Sequence, residues 1–221
     1  MDVTTYAAEV AARLLPAEGS EGCADLLFAL LRELAKGLPV RHETLAAALG
    51  WSAERLAAVL EQQPCTEYDG DGNIIGYGIT LNETAHAFEI DGHRLYTWCA
   101  LDALMFPVMI GKTARVLSRC PATGLSASLT VTPDGLRDVE PTSAVVSLPP
   151  LEAAPNIRRS FCCHVHFYAS ASAAHRSVEP RTEVVSAADG FRLGRLIVDQ
   201  LMTGSPASSS DLLSQTCHAN F

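Results

Sequence analysis

The spacing of apolar residues changes once along this chain, near residue 83, and that change constrains the fold more than any other feature of the sequence. Upstream, apolar side chains recur at three- and four-residue intervals, as amphipathic helices require. Downstream they alternate or gather in short runs between turn residues, as strands do. The expected fold is α+β. Residues 1–82 form a helical, winged-helix-like domain, packed on a core of residues 83–221 with a mainly antiparallel β-sheet and flanking helices.

Particular segments fill in this outline. ADLLFALLRELAKG has helical spacing and stops at the breakers Gly37 and Pro39. VRHETLAAALGWSAERLAAVLEQ reads as two helices about Gly50, with Ser52 as N-cap, which is the outline of a helix-turn-helix. CTEYDGDGNIIGYGITL follows with a polar turn from Asp69 to Asn73, the pattern of a hairpin or wing. In the second region AHAFEIDGHRLYTW predicts two strands about Asp91-Gly92, and CALDALMF a short helix ended by Pro107. TARVLSRC, SASLTVT, SAVVSL and SFCCHVHFYA read as strands, FRLGRLIVDQLM as a helix, and the tail from Gly204 as loose.

With 221 residues, 48% of them hydrophobic, the chain can bury a substantial core. Its 16 basic and 25 acidic side chains leave a net charge of −9, the wrong sign for neutralising phosphates, so nucleic acid is not an expected partner. No N-terminal segment joins a basic stretch to an apolar one, and no apolar run reaches the about eighteen residues that span a bilayer. The expected setting is therefore the cytoplasm, with no membrane partner. Seven cysteines, an odd number in such a chain, read as free thiols rather than a disulfide framework.

Two segments carry residues able to do chemistry. In WCALD, a helix would place Cys99 and Asp102 three residues apart on one face, with a carboxylate in reach of a thiol. Cys99 alone could be a small core hydrophobe beside Trp98 and Leu101. Asp102 argues for a site, because an acid among Leu101, Leu104, Met105 and Phe106 is costly without a partner or a task. In SFCCHVHF, strand alternation puts Cys163 on an apolar face with Phe161, Val165 and Phe167, and Cys162 on the opposite face with His164 and His166. Cys162 is then the candidate site residue and Cys163 a packing residue. The histidines read either as hydrogen-bonded strand residues or as ligands for zinc or copper. Cys120, before the turn at Thr123-Gly124, reads as structural, and Cys23, Cys65 and Cys217 have no acid or base close by in sequence.

Taken together, these segments resemble the organomercurial (alkylmercury) lyase family. The matching stretches are ADLLFALLRELAKG, EYDGDGNIIGYGITL, FEIDGHRLYTWCALDALMFP, IGKTARV, CPATG and RSFCCHVHF, which cover most of residues 24–170 in order. The resemblance implies that Cys99, Asp102 and Cys162 are catalytic and hold the mercury of substrate and product, and that Cys163 is not catalytic. It implies protonolysis of a carbon–mercury bond to a hydrocarbon and Hg(II). Mercury is soft and favours thiolates, so one cysteine would displace the exchangeable ligand of the organomercurial, while a second would push electron density toward the leaving carbon. Asp102 would take a thiol proton and deliver it to that carbon. In water this transfer is uphill, from a thiol of pKa about 8.5 to a carboxylate of about 3.9. Burial of the acid and binding of the thiol to mercury would narrow the gap. No cofactor is implied, since the metal arrives with the substrate; small-molecule thiols would release the product, and mercuric reductase is the implied Hg(II) acceptor.

Two other readings use the same residues. A metal-responsive winged-helix transcription regulator would read DNA with SAERLAAVLEQ, yet that helix offers Arg55 as its one base beside Glu54 and Glu61. A structural zinc site could use Cys162, His164, His166 and a distant cysteine, although the paired spacing of common zinc modules is missing.

Overall fold

Apolar side chains at helical spacing build four helices before the first strand. In the computed structural model, which describes residues 2–14, 22–63, 65–151 and 156–203, these are α1 (Val3–Leu14), α2 (Cys23–Leu34), α3 (His42–Leu49) and α4 (Ala53–Glu61). Helix α1 belongs to the expected helical domain but precedes the segments whose spacing reads as helical, which begin at Ala24. It buries the stripe Tyr6, Ala7, Val10 and Ala11. Helix α2 buries Leu26, Leu27, Leu30, Leu31 and Leu34. Gly50 ends α3 in the left-handed region at φ 65°, and the Ser52 hydroxyl accepts the Arg55 N–H at 3.2 Å to start α4, as expected of that N-cap. The expected loose tail, with Cys217, falls outside the described residues.

The chain then enters an antiparallel sheet of β1 (Glu67–Tyr68), β2 (Ile74–Tyr77), β3 (Ile79–Thr80), β4 (His86–Ile90) and β5 (His93–Thr97). Helix α5 (Ala100–Ile110) interrupts it before β6 (Ala114–Arg119), β7 (Ser126–Thr132) and β8 (Gly135–Glu140). Their order in the sheet is β1-β2-β3-β5-β4-β6-β7-β8. The wing-like hairpin β1–β2 is thus continuous with the core sheet through β3. Asp69 fixes its turn, accepting the N–H groups of Asp71 and Asn73 at 3.0 and 2.8 Å. A second, three-stranded sheet is formed by β9 (Val145–Leu148), β10 (Phe167–Tyr168) and β11 (Glu183–Ser186), in the order β10-β9-β11. Helices α6 (Ile157–Ser160), α7 (Ala171–His175) and α8 (Ala187–Thr203) complete the fold. No helix among the described residues is long and apolar enough to cross a membrane.

Two expectations are corrected. Pro107 does not end α5, which runs on to Gly111 at φ 74°. Leu101, Leu104, Met105 and Phe106 are each at most 1% exposed, and burying such side chains contributes about 1.5–3 kcal/mol apiece, more than the roughly 3 kcal/mol cost of an interior proline. Helix α8 covers α5 closely because Gly190 and Gly194 have no side chain: an added Cβ would lie 3.1 Å from Leu104 and Met105 respectively.

Residues 160–168 do not form one strand. They make the end of α6, a 3-10 turn over Cys162–His164 and the two-residue β10. Asn156 caps Arg159 at 3.0 Å, and Ser147 of β9 satisfies the His164 carbonyl at 2.8 Å and the His166 N–H at 2.9 Å. Side-chain caps thus replace the ladder that an extended strand would need.

Candidate active site

Cys99 occupies the N-cap of α5. Its backbone is extended, at φ −148° and ψ 171°, and its sulfur accepts the Asp102 N–H at 3.4 Å. A thiol in this position sits at the positive end of the helix, where unpaired N–H groups favour a thiolate. Asp102, three residues on, projects from the same first turn. Cys162 arrives on the 3-10 turn, which is fastened to the start of α5 by a hydrogen bond from Ala100 N–H to the Val165 carbonyl at 3.1 Å. The two sulfurs and a carboxylate oxygen of Asp102 all lie within 4.8 Å of one another. All three side chains are buried, at 1%, 4% and 3% exposure for Cys99, Asp102 and Cys162.

Burial sets the electrostatics of the group. It pushes the Asp102 carboxyl up to about 7, against the opposing pull of the Cys99 thiol, the Cys99 backbone and the Arg158 charge. The Cys99 thiol is held well above its ordinary range by burial first, then by its contact with Cys162 and the nearby negative charges. For Cys162 the hydrogen bond from Cys99 lowers the value, but burial and the charges of Asp102, Cys163 and Cys65 outweigh it and leave the thiol raised. One carboxylate oxygen of Asp102, Oδ2, is buried with no hydrogen-bond partner. Two thiols whose burial favours the neutral form and a carboxyl raised to about 7 therefore share one buried cluster.

The reason for preferring Cys162 over Cys163 needs correction, because there is no strand alternation here. The turn carries Phe161 and Cys162 inward in succession and leaves Cys163 and His164 exposed. His166 turns away from Cys162: its Nε2 lies 2.9 Å from the Cys163 carbonyl, and its ring stacks on His86 at 5.8 Å. Among the described residues, Cys162, His164 and His166 do not form a ligand group, whereas Cys99, Asp102 and Cys162 do. Cys120 is buried, and its backbone closes the turn through bonds with Leu125 and Gly124, both at 2.8 Å.

Neighbours of the cluster that sequence analysis does not place in the site gather around Trp98. Arg158 lies with its guanidinium carbon 4.8 Å above the ring of Trp98 and pairs with Glu67 from the N-terminal hairpin. Tyr77, whose hydroxyl bonds Gln63 at 2.7 Å, stands 6.0 Å from the same Trp98 ring. Position beside the two cysteine motifs was the available signal for Trp98 and Arg158. Nothing local marked Glu67.

Comparison with known proteins bears on this arrangement along nearly the whole chain. Residues 79–199 match the alkylmercury lyase family, and residues 5–78 match the helix-turn-helix domain of alkylmercury lyase. An alkylmercury lyase of Pseudomonas putida is 52% identical over 212 residues, covering 95% of this chain and all of the relative. One from Streptomyces lividans is 43% identical over 206 residues, covering 90% and 96%. One from Staphylococcus epidermidis is 43% identical over 183 residues, covering 82% and 85%. The solved structure of the mercury-bound form of MerB2 aligns with a TM-score of 0.72 over 90% of this chain and 98% of that one; at 20% identity this shows a shared fold. Matches of this length, identity and domain order place the chain in the alkylmercury lyase family.

Proposed function

We propose that the chain cleaves organomercurials by protonolysis at Cys99, Cys162 and Asp102. The observation that carries this reading is the buried cluster itself, two sulfurs and one carboxylate oxygen within 4.8 Å. That spacing suits two thiolates closing on one soft cation, each bond somewhat longer than the roughly 2.3 Å of zinc–thiolate.

The first thiol exchanges with the ligand on mercury and its proton leaves with that ligand. The second thiol gives its proton to the Asp102 carboxylate and binds as thiolate, a transfer made easier because metal binding lowers thiol pKa. Electron density from two sulfurs weakens the carbon–mercury bond. The Asp102 acid then protonates the carbon, and hydrocarbon leaves while Hg(II) stays on Cys99 and Cys162. A carboxyl near 7 with a free buried oxygen suits both halves of this proton traffic.

No resident cofactor is required, because mercury enters with the substrate. Release from two buried thiolates requires a competing thiol, which fits a cytoplasmic setting rich in small thiols. An acceptor with paired thiols, such as mercuric reductase, fits the same chemistry. The test is to incubate purified protein with an organomercurial and excess thiol and measure hydrocarbon and inorganic mercury together. Cys99→Ser and Cys162→Ser should each reduce turnover by at least about 100-fold without unfolding the chain. Near-normal turnover in either variant would refute the three-residue mechanism.

A further inference from the structure

We infer that Glu67 is a positioning residue for the two-thiol site, holding Arg158 against Trp98 so that the Cys162 turn stays closed on the start of α5. This rests on the reading of Cys99 and Cys162 as the pair that holds mercury. The two cysteines lie far apart in sequence, and the segments that carry them are tied on both sides. On one side Ala100, which follows Cys99, donates its N–H to Val165, beyond Cys162. On the other side Arg158, one turn before Cys162, stacks on Trp98, which precedes Cys99. The first tie is a backbone hydrogen bond. The second depends on a long, flexible side chain.

A guanidinium that is partly exposed gains little from an aromatic face and keeps much rotamer freedom, so stacking alone would hold it weakly. Glu67 supplies the missing constraint. One carboxylate oxygen accepts from Arg158 Nη1, and the other accepts from the Thr80 hydroxyl and from Asn82 Nδ2 at 3.2 Å. The carboxylate has a seat built for it. Gly76 pairs with Glu67 across β1–β2 and with Thr80 across β2–β3, and a Cβ on Gly76 would collide with Glu67 Oε2. Glu67 is only 14% exposed, so water competes little for the pair. Beside the sheet continuity through β3, the N-terminal hairpin thus reaches the Cys162 turn through an oriented carboxylate.

The test uses Glu67→Gln, which keeps size but removes the charge, and Arg158→Lys, which keeps a charge but loses the planar stack. Hg(II) affinity is measured by competition with a small monothiol, alongside steady-state kinetics and thermal melting. The expected result is that each variant binds Hg(II) about tenfold more weakly, because a second thiolate helps only when geometry lets it engage. kcat should fall about tenfold with KM nearly unchanged, since a misplaced second thiol slows cleavage after capture. The double variant should be no worse than the poorer single one, as expected of residues acting along one path. If Glu67→Gln fails to fold, Asn82→Ala, which strips one bond from the same carboxylate, should give a smaller loss in the same direction. A lowered melting temperature with Hg(II) affinity and kcat within about twofold of the parent would overturn the positioning role and leave Glu67 structural. Cys99→Ser is the control for the underlying reading: if it binds Hg(II) as the parent does, the two-thiol site itself is refuted, whatever Glu67 does.

Discussion

At Asp102 a single carboxyl links chemistry to stability. Its folded pKa of about 7 lies above the ordinary 3.8, so between those values the folded chain holds a proton that the unfolded chain releases. The stability it contributes is intact below about pH 4 and is lost as pH rises through about 7, a penalty of the order of 4 kcal/mol. Asp102→Asn should remove that pH dependence. Its buried amide N–H groups carry a penalty of their own, so the diagnostic quantity is the change in melting temperature, relative to the parent, between about pH 5 and pH 8. The variant should gain on the parent as pH rises, bind the organomercurial through Cys99 and Cys162, and release hydrocarbon at least about 100-fold more slowly in a single turnover. Cleavage at the parental rate would exclude the proton-shuttle role. The neighbouring thiol gives a contrasting outcome. Cys163 is exposed, so among the cysteines of the described residues it should be alkylated first by a thiol reagent in the native protein, as peptide mass analysis would show, and Cys163→Ser should keep activity within about twofold.

At the scale of elements, the chain was most legible where local signals and tertiary packing agree. The Ser52 cap, the Gly50 stop, the Asp69 turn and the alternating β6 and β7 all appear where local chemistry puts them. Legibility failed where packing or side-chain capping overrode local pattern. Pro107 stays inside α5 because that helix is buried on nearly every side. The Cys162 segment turns instead of extending because Asn156 and Ser147 meet its backbone groups. Cys99 and Asp102 could be read as neighbours from helical spacing, whereas strand alternation puts Cys163 on the apolar face and the turn instead buries Cys162 and exposes Cys163. Glu67 could not be read at all, since its partners Arg158 and Thr80 meet it only after folding. The contact of α8 with α5 also comes from tertiary structure, and it yields a prediction. Gly194→Leu should overpack against Met105 and lower stability by about 1–3 kcal/mol, read from the denaturant midpoint at constant m-value. A midpoint unchanged from the parent would show that α8 can shift without loss.

Over the whole molecule, the acid in the site is opposed by a histidine buried between the two sheets. Nδ1 of His86 on β4 shares a hydrogen bond with the Ser118 hydroxyl at 2.5 Å, and that hydroxyl donates onward to the Ala85 carbonyl at 3.2 Å. Its Nε2 is left buried without a partner, which suits a neutral ring. Burial, reinforced by His166 stacked beside it, lowers its pKa to about 3. The unfolded chain would therefore take up a proton on this residue between about pH 6.5 and 3 that the folded chain refuses. Its contribution to stability is complete above about 6.5 and is lost as pH falls toward 3, by about 5 kcal/mol in all. Burial also lowers His166, which adds to the same slope. Asp102 slopes the other way over nearly the same interval, so it offsets much of the histidine loss and the parent profile between about pH 4 and 6.5 should be shallower than either titration alone would make it. Removing either group should expose the other. Asp102→Asn should become steeply acid-labile in that interval, and His86→Leu should instead lose stability as pH rises toward 7. Denaturant midpoints at four or so pH values across this range would decide it, and a profile that keeps the parental slope in both variants would show that neither group titrates as its burial requires.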